Sequence, residues 1–188
     1  MNTTIEQLGH DLIIGGSGML AGLAQALAQN GRRVSVMARS ITKLNRLAAQ
    51  HPGIQTLALN YQDRPALERG LKDAAERSGP ITRCIAWMHD DDPDRVRMIM
   101  RHAGTVYCHV MGSASADPAQ PERLAQWRDA VANPAGPTLR IAVLGFVVEG
   151  ASSRWLTNTE ISEGVGRALE SADPVTIVGT VTPWEKRP

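Results

Sequence analysis

Short apolar runs alternate along the chain with stretches whose apolar residues recur every three or four positions. LIIGG at 12–16 reads as a β-strand, and the next segment carries Leu20, Leu23, Ala24 and Leu27 at the i, i+3, i+4, i+7 spacing of an amphipathic helix. Asn30-Gly31 stops that helix, as a glycine just past the last turn does. VSVMA at 34–38 predicts a second strand, followed by a helix with Leu44, Leu47 and Ala48 on one face. IQTLAL at 54–59 predicts a third, followed by a helix face of Leu67, Leu71, Ala74 and Ala75. The fourth strand is ITRCIAWM at 81–88, after which Asp92-Pro93 reads as an N-cap with proline at the first helical position. TVYCHVM at 105–111 is the fifth, and a proline-rich loop leads to a helix carrying Leu124, Trp127 and Val131. LRIAVLGFVV at 139–148 reads as one long sixth strand. Thr157-x-x-Glu160 is a capping box that opens a helix with Ile161, Val165, Ala168 and Leu169 on its buried face, and VTIVGTV at 175–181 is a seventh strand.

Strands separated by helices need crossover connections and therefore pair in parallel. The runs are apolar on both sides, as strands covered on both faces are. With 188 residues, no internal repeat and no linker, the pattern predicts a single domain over 1–188. Its architecture is α/β: one doubly wound parallel sheet of about seven strands, helices on both faces and the seventh strand at an edge.

Composition narrows the function classes. Hydrophobic residues are 43% and charged residues 21% of the chain, an ordinary globular balance. A formal charge of +1 with no basic stripe argues against a nucleic-acid partner. No apolar run approaches the roughly 20 residues that span a bilayer. The opening MNTTIEQLGHD has no basic segment followed by an apolar core, so it does not read as a secretory leader. Cys84 and Cys108 both sit inside apolar runs and read as buried thiols. A cytoplasmic protein is expected, and homo-oligomerisation stays open.

The candidate chemistry begins at residues 15–22. Gly16-x-Gly18-x-x-Ala21 fits the G-x-G-x-x-G/A dinucleotide fingerprint of a Rossmann-type domain, and it lies between the first strand and the first helix. The first glycine is expected to permit the tight turn and the second to let backbone approach a pyrophosphate. The small third residue lets the helix pack closely. Gly15, Gly16, Ser17, Gly18, Met19 and Leu20 are the expected phosphate-side residues, aided by free N–H groups at the helix N-terminus. An NAD site usually places an acid after the second strand, about 20 residues on. Here the segment is Met37-Ala38-Arg39-Ser40. Arg39 can face a 2′-phosphate and Ser40 can hydrogen-bond it, which favours NADP(H), with NAD(H) the less favoured form. The alternative is a solvated Arg39 and a Ser40 that only caps the next helix.

With this glycine turn, Ala38-Arg39-Ser40, Asp63 in LNYQD and its strand pattern, the chain resembles the short-chain dehydrogenase/reductase superfamily. The resemblance covers nearly the whole chain in layout, with its specific motifs in the first ~90 residues. It implies that Asp63 lies by the adenine and that Ala86 and Trp87 run beside the cofactor. It also implies a serine followed by Tyr-x-x-x-Lys. Ser113 in HVMGSAS stands at the serine position, but LAQWRDAV downstream has Trp127 and Arg128 and neither tyrosine nor lysine.

A proton donor must then come from elsewhere. Ligands in open α/β sheets bind beyond the carboxyl ends of the strands. The fourth strand ends at Trp87-Met88-His89 and the fifth at Gly112-Ser113, so both ends are expected to face the nicotinamide. His89 is the candidate general acid and Ser113 the group that orients substrate. Each also has a plain reading, as a polar strand-end residue and a turn residue. Ser153-Arg154-Trp155 is either a small lid or a packing loop, and His109 reads as a core histidine. No histidine spacing suggests a metal site. Two functions follow: an NADP(H)-dependent oxidoreductase of a small carbonyl or imine substrate, or a non-catalytic NADP(H)-binding redox sensor or scaffold.

Overall fold

The structure, a computed structural model, describes residues 9–90 and 92–188. Asp91 and most of the segment read above for a leader lie outside them. The strands are β1 His10–Ile14, β2 Arg33–Ala38, β3 Ile54–Ala58, β4 Ile81–Trp87, β5 Val106–Gly112 and β6 Thr138–Leu144, then β7 Phe146–Glu149, β8 Ser152–Trp155 and β9 Val175–Val178. The helices are α1 Ala21–Gln29, α2 Ile41–Gln50, α3 Arg64–Ser78, α4 Pro93–Met100, α5 Arg123–Val131 and α6 Asn158–Glu170. The main sheet runs β3-β2-β1-β4-β5-β6-β9 and is parallel throughout. The α/β architecture expected from the alternation is therefore present, with β9 at the expected edge.

Strand alternation sorts the core into two layers. Leu12, Ile14, Met37, Ala86, Tyr107 and Met111 face one way and pack under α3, α4 and α5. Ile13, Val36, Ile85, Cys108 and Val110 face the other way, under α1, α2 and α6. Side chains on successive strand residues point to opposite faces, so one apolar run supplies both layers. Burial pushes the thiols of Cys84 and Cys108 up, that of Cys108 to about 12, which leaves both protonated at neutral pH.

The expected ten-residue sixth strand is two strands. The chain leaves the main sheet at Gly145, where an added Cβ would stand 2.0 Å from the Thr180 carbonyl oxygen. Beyond it, β7 and β8 form an antiparallel hairpin. The apolar character of 139–148 is common to both strands, so hydrophobicity alone could not show the break. Ser153-Arg154-Trp155 is the second strand of this hairpin rather than a loop. Phe146 and Thr180 exchange backbone hydrogen bonds of 2.8 Å each, which seats the segment after β9 against the hairpin.

At the amino ends of the strands, Asp11 is fully buried between two guanidinium groups. Arg83 donates from Nε and Nη2 at 2.8 Å each, and Arg32 donates from Nη2 at 2.7 Å and from Nε. Arg83 also reaches Glu170 on α6 at 2.7 Å. Breaking a buried ion pair from one side strands the other charge, which costs far more than a surface pair is worth. Asp11→Ala is expected to lower the unfolding free energy by about 3–5 kcal/mol in urea denaturation. A loss below about 1 kcal/mol would place these contacts in the range of solvent-exposed pairs instead.

Among the described residues, no helix is long and apolar enough to cross a membrane. Among the same residues, no three His, Cys, Asp or Glu side chains group as metal ligands.

Candidate functional site

The order of strands reverses between β1 and β4, and two adjoining cavities open there beyond the carboxyl ends. The chain leaves β1 at Gly15, whose φ of +80° lies in the left-handed region that glycine tolerates. Its N–H donates to the Met37 carbonyl at the end of β2 at 2.8 Å. A Cβ on it would meet the Trp87 carbonyl oxygen, at the end of β4, at 2.3 Å. The tight turn expected at the fingerprint's first glycine, Gly16, takes its left-handed residue one position earlier, at Gly15. Gly16 has a packing duty, since its Cβ would press on Ile13 and Val36 at 2.6 and 3.1 Å. At Gly18 an added Cβ would meet no protein atom within 4 Å, so this glycine faces open space. The small residue beside the next contact is Gly22, which lies against Ser162 of α6. The Ser162 hydroxyl in turn donates to the Met19 carbonyl at 2.8 Å and pins the turn from the other side. Helix α1 begins without a side-chain cap, which leaves first-turn N–H groups available to an anion.

The first cavity has a volume of about 440 Å³. Gly15, Ser17, Gly18 and Met19 form one wall, Arg39, Ser40 and Lys43 another, and Tyr61, Trp87 and His89 a third. No acidic side chain among the described residues lines it. Ser40 caps α2 by accepting from the Lys43 N–H at 3.4 Å, and its own hydroxyl hydrogen remains able to donate. Lys43 escaped the sequence reading. Its signal was its place on the first turn of α2, three residues past the cap. His89 donates its backbone N–H to the Tyr61 hydroxyl at 3.0 Å, and its ring meets that of Trp87 edge-on with centroids 5.9 Å apart.

The second cavity, about 350 Å³, is lined by Leu144, Leu156, Ile161 and Trp155, with Ser113 and Arg187 as its polar groups of note. Met19, Trp87 and Asn158 line both cavities. The Trp87 ring stands at their junction, 4.0 Å from where a Gly112 Cβ would be. Asn158 is held there by its neighbours. Thr157 and Glu160 complete the expected capping box at the start of α6, and Arg154 of the hairpin donates to the Glu160 carboxylate at 2.9 and 3.1 Å. Those bonds, with the Thr157 groups, hold the Glu160 carboxyl down to about 2 from its ordinary 4.5. Its contribution is therefore complete above pH 4.5 and is lost only as pH falls towards 2.

His89 and Ser113, expected to face one nicotinamide together, line different cavities. His89 shares the first with Arg39 and Lys43, whereas Ser113 is buried in the second. The Ser113 hydroxyl accepts from Arg187 Nε at 2.8 Å. Of the other expected residues, Asp63 caps α3 through the Ala66 N–H at 3.0 Å and does not line either cavity. Leu20 and Ala86 are fully buried core side chains. Trp127 and Arg128 do not replace the missing pair. Trp127 is buried with its ring 4.5 Å from that of His109, and Arg128 borders a pocket with Pro137 and Thr138 at the opposite ends of the strands. His109 is the core histidine expected, with Nδ1 2.8 Å from the Tyr107 hydroxyl.

A doubly wound parallel sheet with a crevice at the strand-order reversal is a Rossmann-type fold, in which that crevice is where ligands bind. Within that class, the fold is that of the short-chain dehydrogenases/reductases. A short-chain dehydrogenase from Streptomyces avermitilis superposes with a TM-score of 0.69 at 16% identity, over 93% of this chain and 89% of that one. The actinorhodin polyketide ketoreductase solved with NADPH gives 0.71 at 14% identity, over 93% and 97%. A β-ketoacyl-[ACP] reductase from Bacteroides thetaiotaomicron gives 0.60 at 17% identity, over 91% and 96%. No protein-family sequence model matches the chain, and no curated protein matches it in sequence.

The two glycines make opposite demands. Gly15→Ala is expected to destabilise the fold, because the new methyl meets backbone and the φ is strained. Gly18→Val should leave thermal unfolding near wild type and, with the pyrophosphate expected on this turn, abolish binding of NADPH and NADH alike by calorimetry. A Gly18→Val protein that still binds NADPH would move the phosphates off this turn.

Proposed function

We propose that this chain is an NADP(H)-dependent oxidoreductase acting on a small carbonyl or imine substrate. The observation that carries the reading is the open face of Gly18 in a cavity that also holds Arg39, Ser40 and Lys43 and no carboxylate among the described residues. Backbone reserved for close approach suits a pyrophosphate, and two cations beside a hydroxyl suit a 2′-phosphate. A ribose held by its 2′-hydroxyl would call for an acid at that place. In this reading the turn at 15–20 and the uncapped start of α1 bind the pyrophosphate. Arg39, Ser40 and Lys43 bind the 2′-phosphate, and His89 belongs to the same end of the cofactor. Trp87, at the junction of the two cavities, orients the nicotinamide, which supplies the hydride when bound.

Ser113 then does the work left to the protein: its hydroxyl would pass a proton to the reduced oxygen or nitrogen and take one back from solvent water. Its oxygen already accepts from Arg187, so its hydrogen is free to donate to a carbonyl oxygen or imine nitrogen. A guanidinium beside that oxygen strengthens the donation as charge develops on the substrate. The apolar walls of the second cavity would lie against the substrate around the reacting carbon.

The sensor reading keeps one observation in its favour: Trp127 occupies buried space on the helix that would carry the absent tyrosine. Turnover separates the two. Screening a carbonyl and imine panel for NADPH oxidation should find substrates; tight NADPH binding without oxidation across the panel would favour the sensor.

Calorimetry should give NADPH a lower Kd than NADH, with the difference shrinking in Arg39→Ala and vanishing in Arg39→Ala/Lys43→Ala. Equal wild-type affinities would overturn the NADP(H) assignment. Ser113→Ala should lower turnover by about 10²-fold with NADPH affinity unchanged, the size expected for one lost donor to a developing oxyanion. His89→Ala should do the converse, weakening NADPH binding more than it lowers turnover.

A further inference from the structure

We propose that the second cavity recognises a substrate bearing a carboxylate close to its reducible carbonyl or imine group, and that Arg187 is the residue that reads it. The proposal rests on the oxidoreductase reading above for the identity of the reacting group, and on the geometry of Arg187 for the carboxylate.

Arg187 is the one charged side chain, among the described residues, on the wall of this cavity. The other lining side chains are apolar or neutral, so they offer it no counter-ion. It makes no ion pair among the described residues, although the fold pairs Arg32, Arg83, Arg95, Arg97 and Arg154 with carboxylates. The guanidinium is nevertheless held. Its Cζ lies 5.1 Å from the Trp155 ring centre and 5.2 Å from that of Trp184. Its Nε is spent on Ser113 at 2.8 Å. The segment that carries it is fastened to the hairpin, since the Ser153 hydroxyl donates to the Lys186 carbonyl and Lys186 Nζ donates to the Gly150 carbonyl at 3.1 Å.

A guanidinium fixed by its Nε edge and its faces keeps its two terminal nitrogens for a ligand. That fork matches a carboxylate, which accepts two parallel N–H bonds from it. Pre-orientation lowers the rotamer entropy lost on binding. The Nε contact also sets the distance between functions. One ligand atom group must sit on Ser113 and another on the same guanidinium, so the carbonyl and the carboxylate are only a few bonds apart. A 2-oxo or 3-oxo acid, or the corresponding imino acid, satisfies this. Leu144, Leu156 and Ile161 would take its aliphatic remainder.

The test is binding, read by calorimetry on the full chain loaded with NADP⁺, which holds the cofactor site filled without turnover. The probes are 4-methyl-2-oxopentanoate, its methyl ester and 4-methylpentan-2-one. The acid should bind at least about tenfold tighter than the ester or the ketone, the factor expected for a hydrogen bond to a charged group. Arg187→Leu should erase that preference while leaving NADP⁺ affinity unchanged, and Arg187→Lys should restore part of it. Equal binding of acid and ester, no binding of the acid, or a preference that survives Arg187→Leu would each overturn the proposal. Circular dichroism and NADP⁺ affinity report whether the variants remain folded. NADPH oxidation with the acid is measured separately. A selective, Arg187-dependent acid that is never reduced would uphold the carboxylate site and defeat the reductase reading. Reduction of ketone and acid alike, with equal binding, would do the reverse.

Discussion

The site depends on the chain passing between two strand ends at Gly15. Strands β2 and β4 flank β1, and the turn leaves β1 with its N–H on the Met37 carbonyl and its α-carbon against the Trp87 carbonyl. Only a residue without a Cβ and able to hold φ near +80° passes there. Everything downstream inherits that passage. It aims Gly18 into open space, starts α1 beyond the crevice and leaves the Trp87 side chain at the junction of the two cavities. Ser162 closes the arrangement by bonding the Met19 carbonyl from α6, so a helix 140 residues later in the chain fixes the shape of the first turn.

Charge is distributed by the same sheet. At the amino ends of the strands, a buried carboxylate is satisfied by two arginines, which stabilises the junction of β1, β2 and β4 without offering anything to a ligand. At the carboxyl ends three cations that have no acidic partner among the described residues face cavities: Arg39 and Lys43 in one, Arg187 in the other. A parallel sheet makes this division natural, because its carboxyl ends are where helix N-termini and turning loops converge.

Where the resemblance would place a tyrosine and a lysine, helix α5 carries Trp127 and Arg128. Helix α5 turns Trp127 into the core against His109, which lies on the same strand face as Tyr107 and Met111. That helix therefore packs the sheet and contributes no group to either cavity. The cation that bonds Ser113 comes from a segment that follows the sheet altogether, held by the β7–β8 hairpin and two tryptophan rings. The fold is that of the short-chain dehydrogenases/reductases, and the cation beside the serine is Arg187.

The sequence by itself determined the layers, the parallel sheet and the glycine turn, because alternation, helical periodicity and glycine spacing are local properties. The capping roles of Asp92 and Thr157 were legible for the same reason. It did not show that residues 139–148 break at Gly145, since both halves are apolar and the break is imposed by the Thr180 carbonyl. Nor did it separate His89 from Ser113: both follow strand ends, and only the position of the Trp87 ring divides their cavities. Lys43 was one helical turn from a residue already singled out, and so was within reach of a local argument. Arg187 was not. Its meeting with Ser113, 74 residues away, needs a strand at the sheet edge, a hairpin to dock on and two rings to stack against. Only packing in three dimensions brings those together, because no periodicity in the chain encodes a contact between segments that fold separately and then touch.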